Sequence, residues 1–175
     1  MIIMKILITG ANGYLGTGIV KEVLDNGNEV IATDFELKFV DERAEKRPCN
    51  LFDIEKPYEY FEKPDVLLHL AWRDGFVHYS DAHIDDLPKH YKFIKSFVES
   101  GCKHIAIMGS MHEVGFYEGS VNDNTPCHPT TPYGIGKNAL RDLSNMICKQ
   151  NNAVFQWLRA VSYTHLRAHE TLANL

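Results

Sequence analysis

The run T-G-A-N-G-Y-L-G, from Thr9 to Gly16, constrains this chain more than any other stretch. It follows the short apolar segment Met4 to Thr9 and precedes apolar residues at helical spacing: Leu15, Ile19, Val20, Val23 and Leu24. A buried strand, a glycine turn and an amphipathic helix are the reading, with Gly27 as the helix stop. Gly10 permits the tight turn, Gly13 lets the backbone approach a pyrophosphate, and Gly16 lets the helix pack close to a sheet. The helix N-terminus then offers free N–H groups and a partial positive charge to phosphates. Asn12, Tyr14 and Leu15 complete the turn and join the three glycines as candidate cofactor contacts. Three spaced glycines alone are weak evidence; their place between a strand and a helix gives them weight.

The rest of the chain repeats the alternation. Strands are expected at Glu29 to Thr33, Cys49 to Phe52, Asp65 to Ala71, His104 to Met108 and Val154 to Leu158. Helices are expected over Asp86 to Ser100 and from Thr131, as cap, with Pro132 in the first turn, to about Lys149. Alternating elements imply parallel pairing and right-handed crossovers. The expected fold is a Rossmann-type doubly wound α/β domain over residues 1–160, strand order 3-2-1-4-5-6, with a crevice at the carboxyl ends of strands 1 and 4. Asp34 ends the second strand, 18 positions after Gly16. An acid there accepts hydrogen bonds from ribose hydroxyls and repels a 2′-phosphate, which selects NAD over NADP.

Composition excludes other classes. A net charge of −5 with 45% hydrophobic and 23% charged residues leaves no basic footprint for nucleic acid or an anionic membrane. The apolar start is too short for a signal core, and no run reaches the length of a membrane span, so a cytoplasmic location is expected. The four cysteines, Cys49, Cys102, Cys127 and Cys148, stand far apart and read as reduced thiols. No metal site is expected. His165 and His169 have helical spacing but no third ligand, and His78, His83 and His90 read as solvated.

Chemistry enters with Y-G-I-G-K. Tyr133 and Lys137, at i and i+4, project from one helix face. A tyrosine titrates near ~10; an ammonium one turn away, with a positive nicotinamide ring, stabilises the phenolate. Tyr133 then serves as base toward a substrate hydroxyl, while Lys137 also bonds the nicotinamide ribose. Ser110 stands just beyond the fifth strand and can hold the substrate oxygen beside Tyr133. Each element alone is common on ordinary surfaces. The combination carries the argument.

With these residues assembled, the chain resembles the extended short-chain dehydrogenase/reductase family, in particular its NAD-dependent epimerase/dehydratase branch. The similar stretches are I-T-G-A-N-G-Y-L-G, D-V-L-L-H-L-A-W, I-M-G-S-M-H-E-V-G and N-T-P-C-H-P-T-T-P-Y-G-I-G-K. The resemblance implies Ser110, Tyr133 and Lys137 as catalytic triad and His69, Leu70 and Ala71 as cofactor-channel lining. It also implies that Asn50, before Leu51, stands where the family has an aspartate for the adenine amino group. Met108-Gly109 replaces the family's serine pair. Met111-His112 replaces the Asp-Glu pair of members that eliminate water, which disfavours dehydration, although His112 or Glu113 offers a substitute. Epimerisation or reduction of a nucleotide-sugar remains, with epimerisation first. A non-catalytic NAD(P)-binding sensor is the alternative of another class, against which the intact triad counts. Homodimers through the two long helices are implied by the same analogy.

The family continues into a C-terminal substrate domain, which is largely absent here. The tail V-S-Y-T-H-L-R-A-H-E-T-L-A-N-L resembles translated adapter sequence rather than the family, so residues 161–175 are expected to be non-native or disordered. The chain is accordingly expected to bind NAD without turning substrate over.

Overall fold

The computed structural model describes residues 3–160. The expected tail, with His165 and His169, lies outside the described residues. Six strands form one sheet in the order β3-β2-β1-β4-β5-β6, every pairing parallel. They are β1 (Lys5–Thr9), β2 (Glu29–Thr33), β3 (Glu45–Lys46), β4 (Val66–His69), β5 (His104–Ser110) and β6 (Val154–Ala160). The longer helices are α1 (Tyr14–Asp25), α4 (Leu87–Glu99) and α5 (Pro132–Gln150); α2 (Pro57–Tyr60) and α3 (Ala82–Asp85) are single turns.

Strand side chains alternate faces, so each strand feeds two cores. Leu7, Ile31, Leu67, Ile105 and Ile107 pack against Phe93, Ile94 and Phe97 of α4 and Leu140 and Ile147 of α5. Ile6, Ile8, Val30, Ala32, Val66 and Leu68 pack on the other face with Val20 of α1. β1 lies in the middle and is buried, which is why its sequence is apolar without alternation. β6 closes the sheet with part of one face uncovered, Val154 being 55% and Leu158 38% exposed.

The third strand is not where the sequence placed it. It covers Glu45–Lys46, and Leu51–Asp53 is a 3-10 turn instead. The backbone still runs beside β2, since Arg47 N–H donates to Ala32 O and Cys49 N–H to Asp34 O. Pro48 has no N–H to contribute, and Asn50 then caps the turn, its side chain accepting from Phe52 N. At α5 the cap is as expected: Thr131 accepts from Gly134 N, with Pro132 in the first turn.

Candidate active site

The glycine turn carries β1 into α1 and opens a cleft at the carboxyl ends of β1 and β4. Gly10 has φ +66°, and a Cβ there would lie 2.7 Å from Ala71 N. At Gly16 a Cβ would lie 2.6 Å from Ala11 O and closer still to Gly10 O, so the helix start rests directly on the turn. Gly13 meets only Gly10 O, at 3.2 Å, and lines the open side. Asp34 ends β2 as anticipated: its carboxylate accepts from Asn12 N at 3.1 Å and Phe35 N at 2.8 Å. Asn12 turns its own side chain to Phe39 N. Tyr14 is exposed and Leu15 half-buried on the first turn of α1, and neither lines the cleft.

The cleft has a volume of about 460 Å³. Asp34 and Asn50 mark one end, Gly10 and Gly13 one wall, and Trp72 the other end; Leu51, Leu70 and Ala71 line it between. Asn50 faces it with its carbonyl oxygen already accepting from Phe52 N at 3.3 Å. His69 does not line it. That ring is 1% exposed, bonded at Nδ1 to the Thr9 hydroxyl and at Nε2 to His90. His83 and His90 are not solvated either, at 1% and 2% exposure. Both pack on Trp72, whose indole N–H donates to His83 Nδ1 at 3.0 Å, while His83 Nε2 bonds Val77 O. Their apolar surroundings come from loops distant in sequence.

Tyr133 and Lys137 both pack on Trp72, and the Ser110 hydroxyl reaches Tyr133; none of the three lines the cleft itself. Lys137 is 3% exposed; its ammonium donates to Met108 O at 2.8 Å and stands 4.0 Å from the Trp72 ring centre. Burial pulls its pKa down to about 7, against the opposing charge of Glu113. Tyr133 packs edge-on to the same indole and against His78, His83 and His112. Burial raises its pKa, the Ser110 hydroxyl opposes that rise, and Glu113 adds to it. The ammonium's expected pull on Tyr133 is therefore not the ruling influence here, because Lys137 spends its charge on Met108 O and the indole. Gly134 and Gly136 let α5 approach; a Cβ on Gly136 would lie 2.8 Å from His83 O.

Glu113 was read as a candidate acid or base, and the structure gives it other work. It is fully buried, accepting from Ser110 N at 2.6 Å, Trp157 Nε1 at 2.7 Å and Arg159 Nε at 3.2 Å. It completes a capping box with Ser110 and ties the end of β5 to β6. Met108-Gly109 finds its reason here: a Cβ on Gly109 would collide with the Trp157 indole and lie 2.8 Å from Glu113 Oε1. His112 is exposed and its pKa is lowered by partial burial and by His78. The roles of Glu113, Trp72 and His90 left no signal in local sequence; the bulk of Trp72 after H-L-A was the nearest hint.

A parallel sheet in this order, with a glycine turn and an acid-ended second strand around one cleft, defines a Rossmann-type dinucleotide-binding α/β protein. The chain belongs to the NAD dependent epimerase/dehydratase family, whose profile it matches over residues 6–165. It is 42% identical over 166 residues to a dTDP-6-deoxy-L-talose 4-dehydrogenase (NAD(+)) of Aggregatibacter actinomycetemcomitans, covering 89% of this chain and 60% of that protein. It is 29% identical over 157 residues to an uncharacterised UDP-glucose epimerase of Bacillus subtilis, covering 77% of this chain and 48% of that one. Its fold matches the UDP-glucose 4-epimerase of Thermotoga maritima with TM-score 0.78 at 20% identity, over 89% of this chain and 55% of that one. The chain thus spans about half to 60% of the length of these proteins. Among the described residues no helix is long and apolar enough to cross a membrane.

Proposed function

We propose that this chain is the cofactor-binding portion of an NAD-dependent nucleotide-sugar oxidoreductase acting on a secondary alcohol or ketone of the sugar. The observation that carries the reading is the gathering of Ser110, Tyr133 and Lys137 around Trp72, which itself lines the glycine-turn cleft. NAD fits the residues present: Gly13 leaves the turn open to a diphosphate, and Asp34 stands at the end of β2 where it meets the adenosine ribose. When bound, NAD supplies the hydride acceptor or donor.

The chain's own residues supply the rest. Ser110 holds the substrate oxygen. Tyr133 takes the hydroxyl proton in oxidation and returns it to the ketone oxygen in reduction. Burial keeps Tyr133 a phenol at neutral pH, the form that donates a proton to a ketone; the oxidation direction requires its phenolate, which the Lys137 charge and a bound positive nicotinamide would favour. Trp72 closes the far end of the cleft and shields Lys137 from water. Glu113 is committed to Ser110, Trp157 and Arg159, so it is not free to act as an acid or base in water elimination.

Net dehydrogenation or reduction at the sugar C4 is favoured by the similarity to the talose 4-dehydrogenase. Epimerisation is the second reading, supported by the likeness to the Bacillus subtilis epimerase. A homodimer through α4 and α5, a cytoplasmic location, and a domain ending near residue 160 belong to the same proposal.

Titration of this chain with NADH and NADPH tests the cofactor part, and incubation of the whole protein with NAD and a dTDP-6-deoxyhexose, read at 340 nm and by NMR of the sugar, tests the chemistry. Stoichiometric NADH with a keto-sugar supports the dehydrogenase. Inversion without net NADH moves the reading to an epimerase. If neither occurs and the chain fails to bind NADH ahead of NADPH, the proposal fails.

A further inference from the structure

Between β1, β4 and α4 runs a buried chain of hydrogen bonds that ends at the cleft wall. Ala71 N–H donates to Thr9 Oγ1 at 3.3 Å. Thr9 Oγ1 meets His69 Nδ1 at 2.8 Å, and His69 Nε2 meets His90 Nδ1 at 2.9 Å. His90 lines the cleft while 98% of it is covered, its relative exposure being 2%. Its Nε2 has no partner among the described residues. At the wall of the cleft that atom is open to a ligand.

The direction of the chain can be assigned from its first link. Thr9 Oγ1 already accepts from Ala71, so its own proton has His69 Nδ1 as acceptor. His69 then carries its proton on Nε2 and donates to His90 Nδ1. His90 is left with a proton on Nε2, a donor facing the cleft. Burial and the nearby Lys137 charge hold His90 near a pKa of about 3, so the ring is neutral at physiological pH and its tautomer is fixed by the chain. Two aromatic contacts fix its orientation: Phe52 meets it edge-on at 4.9 Å and Trp72 stacks on it at 4.7 Å.

The surroundings identify the ligand atom. Gly10 and Gly13 line the same cleft, as do Arg73 and Lys89. Both cations bond the carboxylate of Asp86, at 2.9 Å and 2.7 Å, and the three together carry one positive charge. The glycine turn, these cations and His90 thus line one cleft with Asp34, Asn50 and Trp72. An anion belongs there. The geometry points to His90 Nε2–H as a second, side-chain donor to the diphosphate of the dinucleotide, preset by Thr9 and His69. This deepens the cofactor reading and rests on it.

The test is calorimetric titration of the full chain with NADH, using the unaltered protein, His90→Phe and His90→Gln. Phenylalanine keeps the contacts with Phe52 and Trp72 but has no donor; glutamine restores an N–H. A hydrogen bond to a charged oxygen predicts at least about tenfold weaker binding for His90→Phe. His90→Gln is expected to recover most of it. Equal affinity of His90→Phe and the unaltered chain overturns this proposal alone, whereas no binding by the unaltered chain overturns the cofactor reading and this proposal together. Should His90→Phe fail to fold, long-range proton–nitrogen NMR of the unaltered chain decides. A proton on Nε2 whose resonance moves on adding NADH supports the assignment, and one on Nδ1 or a resonance that stays put overturns it.

Discussion

The two ends of the cleft are built by different means. At the glycine turn the groups facing a ligand belong to the backbone, and the chain positions them by omission: no Cβ at Gly10, Gly13 or Gly16. At the far end the groups are side chains, held by other side chains and by a backbone oxygen. Ser110 is fixed through Glu113, Glu113 through Trp157 and Arg159, and Lys137 through Met108 O and Trp72. Backbone donors carry no net charge and cost little to bury once shaped. The far end buries a lysine and a carboxylate, so each depends on partners that must all be present. The near end should therefore answer to shape and the far end to charge.

The sharpest way to break that contrast is Glu113→Ala. It leaves Ser110 N–H, the Trp157 indole N–H and Arg159 without their buried acceptor, and a loss of roughly 3–5 kcal/mol is expected. Urea unfolding measures it; a loss below about 1 kcal/mol would mean the far end does not depend on its charges. At the near end the matching change is Gly16→Ala, where the added methyl meets backbone oxygens that cannot move aside. Its expected cost is on the order of 1–3 kcal/mol, with NADH affinity falling alongside. Full NADH affinity in this variant would show that the turn tolerates a side chain.

The third effect is graded with pH. Lys137 holds a pKa of about 7 in the folded protein against 10.5 unfolded. Between those values the unfolded chain binds more protons, so stability rises with pH above about 7. The rise is at most about 1.4 kcal/mol per pH unit. Lys137→Met should lack this rise, seen as the difference between the two proteins' unfolding free energies at pH 7 and pH 9. Parallel curves would place the lysine in contact with water.

Much of the near end was legible in the residues. The turn, Asp34 at its strand end and the Thr131 cap follow from periodicity and spacing, because each is set by neighbours within one turn or one strand, while strand order follows from the alternation of strands and helices. The third strand was misplaced, since the stretch from Cys49 to Phe52 is apolar enough for a strand but Pro48 and Asn50 convert it to a capped turn. His83 and His90 read as solvated because polar residues surround them in sequence. Their burial depends on Trp72, which reaches them only through the fold. Glu113 looked like a free acid for the same reason, as its partners Trp157 and Arg159 lie more than forty residues away.

By itself, the sequence determined the class of fold and the residue types that a dinucleotide and a hydroxyl–ketone exchange require. Local backbone preference and apolar periodicity suffice for that, and both are written within short windows. Only the tertiary structure decided which of those residues face the cleft, which carry charge out of water, and which hold others in place. It brought Thr9, His69 and His90 into one hydrogen-bonded chain and turned Glu113 from a reactant into a support. Hydrogen-bond satisfaction in a dry interior is a property of the whole packing, and distant segments decide it together.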